Sequence, residues 1–168
     1  GETGTGKEQV ARLIGEIISG HNKAEFMAVN AANLSETLVE AELFGYEKGA
    51  FTGAVKSREG LLQKLSGGGV LFLDEVTETP PLIQAKLLRL LESGEYRPVG
   101  SDKIRKVDLS IVAATNRNDP FKYEGFRNDL LYRLSETVIE LPSLREILES
   151  SDRSVSIFDH LIQSTASD

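Results

Sequence analysis

The sequence predicts an α/β fold in which a mostly parallel sheet is covered by helices on both faces. Segments with helical periodicity alternate with short strand-like segments, which is the order that β–α–β units produce. Residues 70–73 are continuously apolar, as a strand buried on both faces requires. The 168 residues, of which 40% are hydrophobic, are enough to bury one substantial core.

The first helix and the first strand are predicted within the first thirty residues. Residues 8–18 carry apolar side chains at the spacing of one helix face, and Gly20 follows as a stop. Residues 26–30 then predict a strand.

A second helix is predicted to begin at Asn33. Asn33, with Glu36 three residues later, resembles a capping box, and Gly45 would end the helix. The predicted core face of this helix consists of Leu34, Leu38, Ala41 and Leu43.

The rest of the chain adds another helix and further strands. Thr79 and Pro80 begin a helix with a regular apolar stripe, and Gly94 supplies a left-handed stop. Residues 109–114 and 137–141 predict two more strands, and a last helix is predicted around residues 155–162.

Composition excludes several classes of function. The chain has no cysteine and only two histidines, so disulfides and a structural zinc site are not expected. No long apolar run or signal peptide is present, so we expect no membrane association and a cytoplasmic setting. The net charge of −7 argues against a broad nucleic-acid surface, and the short basic stretch at 103–106 predicts a solvated loop.

A glycine-rich segment at the start of the sequence fits the phosphate-binding loop pattern. Its glycines let backbone N–H groups converge on phosphate oxygens, and its lysine reaches the terminal phosphates. Glu8 follows where Ser or Thr normally binds magnesium, so a flexible glycine-rich segment is the alternative interpretation. The pattern consists of Gly1, Glu2, Thr3, Gly4, Thr5, Gly6 and Lys7.

Two adjacent acids, Asp74 and Glu75, end the buried strand at 70–73. A phosphate loop needs such a strand beside it, because one carboxylate can bind magnesium while the other activates water. The alternative is a strand that ends in surface acids. Since the two motifs support each other, the sequence predicts nucleotide hydrolysis.

A third segment is neither helical nor strand-like and places one aromatic residue and one threonine among glycines and small residues. This composition predicts a mobile loop with an apolar tip, and the alternative is a buried turn in which Phe51 anchors the core. The segment is Gly49, Ala50, Phe51, Thr52, Gly53 and Ala54.

This loop, together with several other blocks, resembles the sigma-54-dependent transcription activators, a bacterial branch of the AAA+ ATPases. The other blocks are residues 42–45, 67–75, 114–117 and 126–134. The resemblance implies a three-layer αβα P-loop fold. It also implies that ATP hydrolysis with Mg²⁺, in a ring that is usually a hexamer, drives the signature loop against sigma-54 RNA polymerase to open promoters.

The resemblance also assigns roles around the nucleotide. Lys7 would bind phosphates, Asp74 would hold magnesium, and Glu75 would polarise the attacking water. Asn30 would restrain Glu75, although a simple turn cap is its alternative. Glu8 in place of Ser or Thr is usual for the family.

Further polar residues are assigned by the same resemblance. Thr115 and Asn116 match the first sensor of the terminal phosphate, with ordinary strand-end turn chemistry as the alternative. Arg127 and Arg133 would reach the nucleotide of a neighbouring subunit, and surface ion pairs are their alternative. Phe51 and Thr52 would contact sigma-54, and residues 97–101 resemble a second loop that assists the first.

The chain departs from the family pattern at several points. Residues 1–143 would form the ATPase core and 144–168 the start of a helical lid, with the strand before the phosphate loop and most of the lid absent. DNA binding would belong to a separate domain outside this chain. We therefore expect the chain alone to bind nucleotide weakly. The segment between the first sensor and the arginine helix, residues 118–125, is shorter than is usual in the family.

Two other functions remain open on the sequence alone. One is a regulatory binding module that keeps the fold without hydrolysis, which the intact Lys7, Asp74, Glu75 and Arg127 disfavour. The other is an AAA+ protein that remodels a different client, which the signature loop at 49–54 disfavours.

Overall fold

The computed structural model describes residues 5–18, 25–33 and 35–143. Its helices are α1 (Lys7–Ile18), α2 (Glu36–Phe44), α3 (Leu61–Lys64), α4 (Pro81–Ser93) and α5 (Asn128–Leu134). Its strands are β1 (Phe26–Asn30), β2 (Gly45–Tyr46), β3 (Arg58–Glu59), β4 (Gly69–Asp74), β5 (Glu95–Tyr96), β6 (Arg105–Lys106) and β7 (Leu109–Ala113). Short 3-10 helices lie at Ala31–Asn33, Val76–Glu78 and Pro120–Lys122.

The main sheet has the order β1-β4-β7, and both strand pairings are parallel. In its register Asn30 lies opposite Asp74, and Leu73 lies opposite Ala113. The predicted α/β fold with a mostly parallel sheet is therefore confirmed. The three strands also end at the same edge of the sheet, which brings together the polar residues that follow them.

Helices cover both faces of β4. Its alternate side chains point to opposite sides and are apolar, so each face of the strand needs a helix to bury it. Val70 lies against Gly15 of α1, where an added Cβ would meet the Val70 methyls at 3.4 Å. Leu71 and Leu73 join the main core, which also contains Leu43, Phe44, Leu62, Ile83 and Leu87 from α2, α3 and α4. The order of layers is helix, sheet, helix.

The predicted start of α2 is wrong, and its predicted core face is confirmed for Leu43, which is buried, but not for Leu38. Ser35 is the N-cap and makes no side-chain capping bond, while Asn33 belongs to the preceding 3-10 helix. The Ser35 carbonyl accepts the first helical hydrogen bond, from Val39 N–H at 3.0 Å. Val39 is buried, whereas Leu38 is 58% exposed. Leu34 and the predicted stop at Gly20 lie outside the described residues.

The predicted strand at 137–141 is also absent from the described structure. Val138 and Ile139 are exposed, and residues 137–141 pair with none of the described strands. Strand composition alone does not make a strand, because the backbone needs a neighbouring ladder. The helix predicted around 155–162 lies outside the described residues.

The helix predicted from Thr79 to Gly94 is confirmed. Its first residue is Pro81, and Gly94 ends it in the left-handed conformation with φ 69°. Within the described part of the chain, no helix has the length and apolar character needed to cross a bilayer.

Two glycines allow α2 to turn directly into the small β2–β3 hairpin. A Cβ on Gly60 would lie 2.3 Å from the backbone nitrogen of Gly45 and 2.4 Å from the carbonyl oxygen of Leu43. These are backbone atoms, which cannot move aside as a flexible side chain would.

We expect Gly60→Ala to destabilise the protein by roughly 1–3 kcal/mol, as overpacking of a tight site does. The measurement is the free energy of unfolding in urea. Gly15→Ala is the matched control, because its Cβ would meet only side-chain atoms at ordinary contact distance and helix propensity favours alanine. Equal stability of the two variants would contradict the close approach.

Candidate functional site

Polar side chains collect at the carboxyl edge of the sheet. Asn30 ends β1, Asp74 ends β4, and Thr115 and Asn116 follow β7. The backbone continues the sheet one step further, because Ala114 N–H donates to the Leu73 carbonyl at 2.8 Å. Ligands of open parallel sheets bind at this edge.

Lys7 meets the acids from the other side. It is the first residue of α1, and its Nζ lies 3.3 Å from Glu75 Oε1, with both side chains about nine-tenths buried. Gly6 takes the left-handed conformation just before it, with φ 75°. The structure thus pairs Lys7 with the second acid, a contact that the sequence did not predict, although the two motifs were expected to lie beside each other. Gly1, Glu2, Thr3 and Gly4 lie outside the described residues.

The backbone of Glu75 is strained. Its φ of 51° and ψ of 46° are left-handed, and no other non-glycine residue of the described ranges has a positive φ. Such a conformation costs about 1–2 kcal/mol for a residue with a Cβ. Strain of this kind persists where the surrounding structure enforces it, and it concentrates at functional sites.

Both carboxylate oxygens of Glu75 are held. Lys7 donates to Oε1, and the backbone N–H of Asn116 donates to Oε2 at 3.2 Å. The segment after β7 is fixed in turn, because the hydroxyls of Thr115 and Thr77 lie 2.9 Å apart. Glu75 therefore connects the phosphate loop to the segment predicted to sense the terminal phosphate.

Asp74 is held by different partners. Its Oδ2 accepts a hydrogen bond from Asn30 Nδ2 at 3.0 Å, and its Oδ1 accepts one from Glu75 N–H at 3.0 Å. Asn30 Oδ1 accepts from Ala32 N–H at 3.0 Å. The structure thus brings Asn30 to Asp74 and not to Glu75, and the restraint of Glu75 by Asn30 stays a prediction.

The donor set fits magnesium in a nucleotide complex. No group of three or more acidic, histidine or cysteine side chains suited to a metal occurs in the described ranges. Magnesium, however, normally uses one or two carboxylates together with waters and substrate phosphates. Asp74 supplies such a carboxylate, and Lys7 contacts the neighbouring acid, Glu75. Glu8 instead pairs with Arg12 on the exposed side of α1 at 2.8 Å.

The two predicted interface arginines lie at opposite ends of α5. Arg127 is the N-cap residue and pairs with Asp129 through two hydrogen bonds of 3.0 and 2.7 Å. These bonds hold the pKa of the Asp129 carboxyl below its ordinary value. Arg133 lies in the last turn, is exposed, and makes no hydrogen bond or ion pair with the described residues. Six residues of helix separate them by about 120° around its axis, so they do not share one face.

The signature loop, residues 49–54, closes on itself at its base. Gly49 N–H donates to the Ala54 carbonyl at 2.8 Å, and both Gly49 and Gly53 have positive φ. Phe51 is exposed, so the alternative of a buried core anchor is excluded. The Phe51 ring packs edge-on against Tyr46 with centroids 4.9 Å apart. The loop therefore presents its apolar tip at the surface.

The second loop, residues 97–101, lies against this base. Glu47 N–H donates to the Val99 carbonyl at 3.0 Å, and Val99 N–H donates to the Gly45 carbonyl at 2.9 Å. A Cβ on Gly100 would lie 2.7 Å from the Cβ of Ala50. The structure brings the two loops together, as the resemblance implies.

Sequence reasoning missed several residues that support these sites. Tyr46 carries no signal in the sequence, because its contact with Phe51 depends on the hairpin fold. Arg117 donates to Glu78 at 2.7 Å and stacks on Tyr123, with its guanidinium 3.6 Å from the ring centre. These contacts fix the far end of the segment that contains Asn116. In the sequence, only the opposite charges of Arg117 and Glu78 could have indicated that the two residues pair.

The fold belongs to the P-loop αβα class of nucleotide-binding proteins. Three features define this class here: the parallel sheet, the lysine at the start of α1 and the two acids at the end of the central strand. Comparisons with known proteins then narrow the class. The sigma-54 interaction domain profile matches residues 1–140. The chain therefore belongs to the sigma-54 interaction domain family.

Individual relatives agree. The Nif-specific regulatory protein of Enterobacter agglomerans is 50% identical over 151 residues, which cover 89% of this chain and 29% of that protein. The Nif-specific regulatory protein of Azotobacter vinelandii is 51% identical over 148 residues, which cover 87% of this chain and 28% of that protein. The chain spans less than a third of the length of these curated relatives.

Solved structures resemble the chain as well. NtrX from Brucella abortus superposes with a TM-score of 0.76 at 34% identity, covering 89% of this chain and 35% of that chain. Hsp104, bound to ATPγS and casein, has a TM-score of 0.58 at 21% identity over 80% of this chain and 26% of its own. The second likeness concerns the fold alone.

The left-handed backbone of Glu75 gives a test of the strain at the site. We expect Glu75→Gly to be more stable than Glu75→Ala by about 1 kcal/mol, because both lose the carboxylate but only glycine relieves the backbone. The measurement is the free energy of unfolding in urea. At Glu92, on the exposed side of α4, the same pair should show the reverse order, because alanine favours a helix. If the glycine variant were the less stable of the two at both positions, the backbone strain at Glu75 would be contradicted.

Proposed function

We propose that this chain is the ATP-hydrolysing domain of a sigma-54-dependent transcription activator. In this proposal, hydrolysis drives the signature loop against sigma-54 RNA polymerase holoenzyme and so opens promoters. Residues 1–143 would form the ATPase core and 144–168 the beginning of a helical lid. The observation that carries the proposal is the ion pair between Lys7 and Glu75, next to Asp74 at the sheet edge, in a chain of this family.

The chemistry follows from the positions of these three groups. Lys7 would bind the terminal phosphates, and Asp74 would hold the Mg²⁺ that offsets their charge. Glu75 would polarise the attacking water, a role that a positioned carboxylate fills in phosphoryl transfer. Thr115 and Asn116 would sense the terminal phosphate, because Asn116 N–H already touches the Glu75 carboxylate. NtrX structures in complex with ADP and with ATP support nucleotide binding in a relative of this chain.

The signature loop is the proposed contact with sigma-54. Its tip is exposed and apolar, and its two ends are hydrogen-bonded to each other, so it can move as one unit. The second loop at 97–101 packs on its base and would transmit that motion. A domain outside this chain would bind DNA, and the protein would act in the cytoplasm.

A ring of subunits, which we propose to be a hexamer, would complete the active site. Arg133 is exposed at the end of α5 and makes no hydrogen bond or ion pair with the described residues, so it can meet a neighbour's nucleotide. Arg127 would assist, although its ion pair with Asp129 must open first. Arginines supplied in this way can raise the hydrolysis rate by roughly 10³-fold or more.

We expect Thr52→Ala in the full-length protein to keep its ATPase rate and to lose transcription activation. The reason is that Thr52 lies on the exposed signature loop, whereas the residues proposed for hydrolysis lie at the sheet edge. The measurements are ATP turnover and open-complex formation with sigma-54 holoenzyme. Val55→Ala is the control, because Val55 is just outside the loop and 79% exposed. Loss of ATPase in Thr52→Ala would argue against a contact role.

A mixing experiment tests the shared active site. Glu75→Gln alone should bind ATP and lose roughly 10²–10⁴-fold in turnover, and Arg133→Ala alone should also lose turnover. Mixing the two variants should restore part of the activity, because some interfaces then combine an intact Glu75 with a neighbour's intact Arg133.

The control mixes Glu75→Gln with a double variant that carries both changes. No interface in that mixture has an intact Glu75, so no activity should return. Recovery in the control, or no recovery in the first mixture, would count against an arginine supplied by a neighbour.

A further inference from the structure

The position of Asn30 is fixed by the sheet itself. Asn30 and Asp74 are paired residues in the parallel β1–β4 register, at the last step of both strands. Their side chains meet with 3.0 Å between Asn30 Nδ2 and Asp74 Oδ2, and the pair is partly buried. The contact therefore depends on strand pairing and not on a mobile loop.

The orientation of the Asn30 amide is fixed as well. Its Oδ1 accepts a hydrogen bond from Ala32 N–H at 3.0 Å, in a turn that begins the following 3-10 helix. A flipped amide would place its NH₂ group against this N–H and its oxygen against the carboxylate, so both contacts would become repulsive. The NH₂ group must therefore face Asp74.

Glu75 is held by other groups. Its two oxygens accept from Lys7 and from Asn116 N–H, and no hydrogen bond joins it to Asn30. The two adjacent acids thus have separate supports. Strand β1 holds Asp74, while α1 and the segment after β7 hold Glu75.

We propose that Asn30 is a positioning residue for the metal-binding carboxylate of Asp74. Its N–H fixes the rotation of the carboxylate and leaves the remaining oxygen lone pairs for Mg²⁺. This inference rests on the proposed function, because Mg²⁺ is expected only with bound nucleotide. Outer partners of this kind orient metal ligands, and their removal typically lowers metal affinity about 10–100-fold.

The test uses Asn30→Ser in the full-length protein. A serine hydroxyl can still accept from Ala32 N–H and keep the turn, but it is too short to reach Asp74. Binding of fluorescent ADP is titrated with Mg²⁺ and also measured in EDTA. We expect Asn30→Ser to raise, by about 10-fold or more, the Mg²⁺ concentration at which the enhancement of ADP binding is half-maximal. The affinity of the variant for ADP in EDTA should equal that of the wild type.

Three further variants make the result specific. Asn118→Ala removes another asparagine side chain, which is exposed and makes no hydrogen bond to Asp74, and should match the wild type. Asn30→Ala should shift the Mg²⁺ response as much as Asn30→Ser does, even if loss of the turn lowers its melting temperature. In an Asp74→Asn background, Asn30→Ser should add no further shift, because the two residues act as one unit.

The outcomes separate this inference from the proposed function. A wild-type protein whose nucleotide binding does not respond to Mg²⁺ would overturn both. A wild-type response that Asn30→Ser leaves unchanged would overturn the positioning role alone. A shift that persists undiminished in the Asp74→Asn background would also overturn it, because Asn30 would then act through some other group.

Discussion

The central strand β4 is the constraint on which the candidate site depends. It is paired with β1 and β7 on its two edges and buried on both faces, so neither its backbone nor its side chains can shift without loss of packing. Its last residue, Asp74, leaves the strand at a fixed point. Glu75 then turns into the left-handed region, which carries its carboxylate toward Lys7 on one side and Asn116 on the other.

The signature loop is supported in a different way. No part of its tip belongs to the hydrophobic core, and Phe51 touches only the ring of Tyr46 among the aromatic residues described. Its base is nevertheless tied to the core, because Gly45 follows directly on α2 and bonds to Val99. The hydrogen-bonded base thus anchors the loop to the domain, while the tip lies outside the core.

The sequence predicted what depends on local pattern. The buried strand with its two terminal acids, the helix that ends at Gly94 and the surface position of Phe51 needed only periodicity, composition or resemblance. The start of α2 was wrong because Ser35, and not Asn33, supplies the first helical carbonyl. The exposure of Leu38 was missed because the packing of α2 on the core, which buries Val39 instead, is a tertiary property. The partner of Asn30 arises from the pairing of β1 with β4, which joins residues 44 positions apart in the sequence. The left-handed backbone of Glu75 had no signal in the sequence, because left-handed positions are usually marked by glycine.

The separate supports of the two acids have a consequence for ligand binding. Lys7 holds Glu75 directly, so an anion that takes Lys7 must compete with that carboxylate. Asp74 instead accepts hydrogen bonds from Asn30 and from the backbone N–H of Glu75. Its position therefore depends on the sheet, whereas the environment of Glu75 changes with whatever occupies the phosphate loop. Glu75, with its strained backbone and its ion pair to Lys7, is therefore the acid of the two that contacts both α1 and the segment after β7.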